Sequence, residues 1–183
     1  VTELLCQLGA APAKELCYFT GASHQTVKSL EKRGILRLQE REVFRHQLPD
    51  IRQTQPLSPL NEAQQAAYEG LRALMNGGKP EADLLYGVTG SGKTQVYLHL
   101  IEQTLAAGRG AIVMVPEIAL TPSLLQLFLT HFGRQVAVLH SCLSTGERYD
   151  EWKRVRDGQA SVVIGTRSAV FAPLADVGLM ILD

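Results

Sequence analysis

The sequence predicts an α/β fold: a parallel sheet with helices on both faces, preceded by a small winged helix-turn-helix domain. Three observations carry this. From residue 60 onward, short Val/Ile/Leu-rich runs alternate with segments of helical periodicity. Those runs are apolar at consecutive positions, which suits strands covered on both faces. Before residue 47 the order is instead helix, tight turn, helix and two short strand-like runs.

The chain has 183 residues, which at about 150 residues per domain allows one or two domains. Hydrophobic residues are 45% and charged residues 20%, which excludes a disordered tail or a coiled coil. Lys and Arg number 18, as do Asp and Glu, so a basic footprint for nucleic acid can only be local. Cys6, Cys17 and Cys142 form no CxxC pair; neither a disulfide framework nor a zinc ribbon is encoded, and the count suits a reducing cytoplasm. No apolar run approaches 18 residues, so no membrane span is expected, and no signal peptide is visible. The chain begins at Val1 and stops at Asp183, directly after the apolar run 179–182; it reads as a piece cut from a longer chain.

Taken in order, residues 13–18 predict a first helix, Thr20-Gly21-Ala22 a turn, and 23–33 a second helix capped by Ser23 and stopped by Gly34. Residues 35–39 and 43–45 predict the two strands of a wing. Domain 1–47 is thus a winged helix. Six basic residues between 23 and 47 (Lys28, Lys32, Arg33, Arg37, Arg41, Arg45) outnumber three acidic ones, and Lys28 and Lys32 share a helix face. Such a face suits duplex phosphates; a solvated face on a packing module is the plainer alternative. Pro49, Pro56 and Pro59 mark 48–59 as an extended linker. In the remaining domain, 60–183, strands are expected at 84–86, 111–115, 136–140, 161–164 and 179–182, and helices at 61–75, 93–106, 122–132 and 145–157.

Gly87-Val88-Thr89-Gly90-Ser91-Gly92-Lys93-Thr94 matches GxxxxGK[ST] between an expected strand and an expected helix. Glycines let the backbone curl so that its N–H groups point at phosphate oxygens, and the helix adds its positive end. Lys93 is the cation for the outer phosphates, and Thr94 a hydroxyl for Mg²⁺. The run Gly178-Leu179-Met180-Ile181-Leu182-Asp183 supplies the second half of such a site, an apolar strand ending in a carboxylate that holds Mg²⁺.

Three segments narrow the class. Gln64 has an amide able to read adenine, although a solvated Gln is the plainer reading and Gln65 has the same chemistry. Pro116 and Thr121 lie where an expected strand leads into an expected helix, whose capped start suits a nucleic-acid phosphate or is an ordinary N-cap. Thr166, Arg167 and Ser168 come after another strand and suit a further phosphate contact, a loop ion pair being the alternative for Arg167. His140 reads as a structural residue, and Trp152 as a packing residue rather than a base-stacking platform.

The segments YGVTGSGKTQVYL (86–98), MVPEIALTP (114–122), LHSCLSTGER (139–148) with Trp152, and VVIGTRSAVFAPL (162–174) closely resemble the PriA family of replication restart helicases, also called primosomal protein N′. The resemblance runs from about residue 60 to 183. It implies a RecA-like first motor lobe of a superfamily 2 helicase, using ATP and Mg²⁺ to unwind forked DNA in the 3′ to 5′ direction and reload the replication machinery with other primosome proteins. It implies that Gln64 reads adenine, that Lys93 and Thr94 bind ATP and Mg²⁺, and that Asp183 opens a DExH-type box. It implies zinc only in a cysteine-rich region outside these residues. The alternative from another class is a non-catalytic DNA-binding module acting through the winged helix. A P-loop kinase would need an acceptor pocket and a lid, of which the sequence gives no sign.

Overall fold

Four parallel strands in the order β2-β3-β1-β4 organise the larger part of the computed structural model, which describes residues 1–2, 5–6, 13–39 and 54–183. The chain divides into two compact units, Val1–Val43 and Phe44–Asp183.

In the first unit, helix α1 (Ala13–Thr20) and helix α2 (His24–Lys32) pack together, with Leu16 and Val27 buried. The Ser23 hydroxyl accepts from the Thr26 N–H and starts α2. Gly34, at φ +69°, ends it: Ile35 N–H reaches back to Leu30 O and Gly34 N–H to Glu31 O, a Schellman closure. Residues 35–39, expected as the first wing strand, are not a strand. Ile35 is spent on closing the helix, and Leu38 N–H donates to the Glu31 carboxylate rather than to a ladder. The expected partner strand 43–45 and the expected boundary at 47 lie outside the described residues.

In the second unit, helices α3 (Glu62–Met75) and α4 (Lys93–Ala106) pack on each other. After them come β1 (Gly110–Met114), α5 (Pro122–Phe132), β2 (Val136–Leu139), α6 (Thr145–Arg156), β3 (Val162–Gly165) and β4 (Val177–Leu182). These bounds agree with the sequence expectation to within two residues. Four rows cross the sheet in register; the last is Leu139, Gly165, Met114 and Leu182. Because the strands are parallel, residues 115–121, 140–144, 166–171 and Asp183 all emerge at one edge, the carboxyl edge where such sheets bind ligands.

Alternation along each strand sorts the core into two layers. Ala111, Val113, Val136, Val138, Val162, Ile164 and Ile181 face α4 and α5, meeting Leu98, Ile101, Phe128 and Phe132. Ile112, Ala137, Leu139 and Val163 face the other way, toward Val155 of α6 and Ala169. Helices cover both faces as expected. Residues 54–59 contain no helix or strand and are tied to this unit: Gln55 N–H donates to Thr130 O, and the carbonyls of Gln55 and Ser58 meet the rings of His131 and His99.

The expected strand 84–86 is absent. A strand exists only in a ladder, and this segment pairs with none of the described strands; Leu84 is 80% and Tyr86 91% exposed.

The opposite edge of the sheet, β2, is closed by side chains. Glu151, fully buried, accepts from the Val138 N–H and is paired with Arg154 at 2.8 Å. Arg154 in turn donates to the carbonyls of Arg134 and Val136. The Val138 N–H and Val136 O of this edge strand are thereby satisfied by side chains. Removing Glu151 strands a buried guanidinium. Glu151→Ala is therefore expected to cost roughly 3–5 kcal/mol in chemical denaturation. Asp176→Ala, which breaks the exposed Arg109–Asp176 pair, should cost about 1 kcal/mol or less.

Candidate nucleotide site

The start of α4 differs from those of α2, α3, α5 and α6. Ser23, Asn61, Thr121 and Ser144 cap α2, α3, α5 and α6 with side-chain oxygens. At α4 the cap position is Gly92, and no side chain accepts from the first turn. Gln95 N–H donates to Gly92 O; the N–H groups of Lys93 and Thr94 are left for an external acceptor, and the helix dipole favours an anion there. Gly90 and Gly92 have φ of +81° and +84°, values that L side chains rarely adopt. A Cβ on Gly87 would lie 2.7 Å from Ser91 Oγ. The curl of the loop requires glycine at 90 and 92, while the contact at Gly87 is with a side-chain hydroxyl that can rotate. This donor set, with the Lys93 ammonium, fits a polyphosphate.

Lys93 Nζ donates to Gly87 O at 2.8 Å and to Val88 O at 3.3 Å. Its charge is held over the loop by carbonyls. Gln64 lies against the same loop: its Nε2 is 3.4 Å from Ser91 O and 3.5 Å from Gly92 O. Its Oε1 accepts from Asn61 N–H, while Asn61 Oδ1 accepts from Gln64 N–H, a capping box. Gln65 instead pairs with Glu69. The structure thus separates two chemically equal glutamines. Gln64 is at the phosphate loop, with its amide oxygen engaged in starting α3.

Asp183 comes to the same helix from the sheet. Its N–H donates to Met114 O, extending the β1–β4 ladder by one bond. Its Oδ1 accepts from the Tyr97 hydroxyl at 3.0 Å. Tyr97 is three residues after Thr94 and four after Lys93, on one face of α4. Burial, the hydrogen bond to Asp183 and that carboxylate's charge push the Tyr97 phenol up to about 12. It therefore keeps its proton at neutral pH and is the donor. Thr94 and Asp183 offer the hydroxyl and carboxylate oxygens that Mg²⁺ prefers. Among the described residues no cluster of three His, Cys, Asp or Glu side chains could hold a metal.

At the carboxyl edge, Pro116 and Thr121 are exposed, and the Thr121 hydroxyl accepts from Leu124 N–H. Glu117 ties this loop to the next through Ser141 at 2.6 Å. Arg167 and Ser168 are exposed, and no ion pair of Arg167 occurs among the described residues. Thr166 lies at the same edge, with little residue surface exposed and its N–H on Leu139 O. A Cβ at Gly165 would overlap Leu139 O, and this close approach turns the chain inward there. Ile118 and Phe171, 92% and 81% exposed, stand at the same edge, and sequence reasoning singled out neither. Lys28 and Lys32 are exposed on α2 of the first unit. His140 Nδ1 accepts from Cys142 N–H, a structural role. Trp152 stacks with Tyr149 (centroids 6.3 Å apart) under the Arg156 guanidinium.

A curled glycine loop with a lysine, an uncapped helix and a strand-end aspartate define a P-loop nucleotide-binding lobe. Residues 61–183 match the DEAD/DEAH box helicase family model; the chain belongs to that family. It is 47% identical over 174 residues to "Replication restart protein PriA" of Bacillus subtilis, which covers 94% of this chain and 22% of that protein. It is 46% identical over 162 residues to the protein of that name from Synechocystis (88% and 19%). With that of Chlamydia pneumoniae it shares 35% over 186 residues (100% and 25%). The chain thus spans about a fifth to a quarter of the length of these relatives.

The contact between Gln64 and Gly92 makes a prediction. A Cβ on Gly90 meets open space, whereas one on Gly92 would collide with Gln64 Nε2. Gly90→Ala should lower stability by the backbone strain alone, about 1–2 kcal/mol. Gly92→Ala should cost more, and in a Gln64→Ala background the excess should vanish. Denaturant melts of the parent, the three single variants and the Gln64→Ala/Gly92→Ala double variant check this.

Proposed function

We propose that this chain is the ATP-binding lobe of a DNA helicase that restarts stalled replication forks. The observation that carries the reading is the meeting of two distant motifs on one helix face. The P-loop starts α4, and β4 brings Asp183 to Tyr97 one turn further along it. The names of the relatives and their similarity over most of this chain support the restart role. The first two helices, with Lys28 and Lys32 exposed, are read as a basic face for duplex backbone ahead of the lobe. The domain division 1–47, 48–59 and 60–183 and a cytoplasmic location belong to the same reading.

When bound, ATP supplies the anhydride bond whose hydrolysis drives movement along DNA. The chain's own residues bind and orient. N–H groups of the loop from Gly87 to Gly92 and of the first turn of α4 cradle phosphate oxygens. Lys93 exchanges its loop carbonyls for the outer phosphates, and Thr94 and Asp183 hold Mg²⁺. Gln64, already against the loop, selects adenine by its amide once it exchanges the Asn61 N–H and the loop carbonyls for the base. At the carboxyl edge, Thr121, Thr166, Arg167 and Ser168 take the DNA strand by its phosphates, with the Pro116 ring beside them. Travel from 3′ to 5′ and cooperation with other primosome proteins are carried by the resemblance to PriA.

In the full-length protein, Lys93→Ala is expected to lower ATP turnover on the order of 100-fold or more while leaving affinity for forked DNA within a few-fold. Steady-state ATPase assays and fluorescence anisotropy with a fork substrate test this. Near-normal turnover would overturn the reading of Lys93. Tight fork binding that ATP does not alter, with no ATP turnover, would favour a non-catalytic DNA-binding module.

A further inference from the structure

We propose that Tyr97 is a positioning residue for magnesium: its hydroxyl holds one oxygen of the Asp183 carboxylate and leaves the other directed at the ion. This rests on the reading of Asp183 as a magnesium-holding carboxylate. Asp183 directly follows β4. Its N–H donates to Met114 O and continues the β1–β4 ladder. The Tyr97 hydroxyl, at 3.0 Å from Oδ1, is the side-chain partner that orients its carboxylate among the described residues. Tyr97 is suited to the task because its ring packs against the apolar layer between the sheet and α4. A packed ring with two torsions holds its hydroxyl at a defined point. Position matters as well. Tyr97 lies on the second turn of the helix that begins with Lys93 and Thr94, so one rigid element carries the phosphate cation, the hydroxyl ligand and the support for the carboxylate. Hydrogen bonds from outside the ligand set fix a ligand's orientation and raise metal affinity, commonly by about 10- to 100-fold. A tie between α4 and β4 for stability alone would use the same bond, and the two roles differ in what they move.

The test is Tyr97→Phe in the full-length protein, which keeps the packed ring and removes only the hydroxyl. Mn²⁺ affinity is measured by electron paramagnetic resonance in the presence of ADP, ADP affinity by titration in a chelator, and stability by thermal melting. Asp183→Asn is run alongside. The proposal expects Mn²⁺ affinity to fall on the order of 10-fold, with ADP affinity without metal and the melting temperature unchanged. It also expects no further loss when Tyr97→Phe is added to Asp183→Asn. A lower melting temperature with Mn²⁺ affinity intact would make Tyr97 a structural tie and overturn the proposal. Full Mn²⁺ affinity in Tyr97→Phe, with affinity lost in Asp183→Asn, would overturn this proposal alone. Full affinity in Asp183→Asn would remove the magnesium role of Asp183, and the proposal with it.

Discussion

The parallel register of the four strands is the constraint on which the site depends. Leu139, Gly165, Met114 and Leu182 lie in one row, so the loop after each strand is delivered to one edge. Segments far apart in sequence become neighbours through the sheet, and bonds such as Glu117–Ser141 then join them. The register itself is held by apolar alternation. A slip of one residue would exchange the Val113, Val138 and Ile164 layer with the Ile112, Ala137 and Val163 layer, against two differently shaped sets of helices. The buried Glu151–Arg154 pair then closes the β2 side.

Against that rigid edge, the phosphate loop is a local exception to ordinary helix construction. Four helices begin with a polar side chain over the first turn; α4 begins with glycine. Leaving those N–H groups without a side-chain acceptor forgoes roughly 1 kcal/mol of capping, and the helix gains an anion seat. The capping box of α3 reaches the same place from the other side, since its Gln64 touches the carbonyls of Ser91 and Gly92. One amide therefore couples the start of one helix to the phosphate loop of another.

Much of this was legible in the sequence because it rests on periodicity and local chemistry. All four helices of the larger unit and four of its five expected strands were found, and Thr121 and Ser23 cap the helices they were expected to cap. The strand at 84–86 was not, because an apolar triplet does not say whether a neighbouring strand will pair with it. The wing strand at 35–39 failed for a different reason. Gly34 signalled the end of α2, but a Schellman closure also consumes the next residue, Ile35. The Tyr97–Asp183 bond joins residues 86 apart, and no pattern in the sequence announces it; the spacing of Tyr97 from Lys93 and Thr94 was the one available hint. The resemblance pointed to Gln64 over Gln65, and the physical reason is helix phase: with Asn61 as the cap, Gln64 faces the loop and Gln65 pairs with Glu69.

The central claim is that Thr94 at the start of α4 and Asp183 at the end of β4 serve one magnesium ion. The most direct measurement is the gain in affinity for a fluorescent ATP analogue on adding Mg²⁺, in the full-length protein, in Thr94→Ala, in Asp183→Asn and in the double variant. A shared ion predicts strong non-additivity: either single change removes most of the gain, and the double loses little more. Losses that simply add would contradict the account, because two groups acting independently do not hold the same ion.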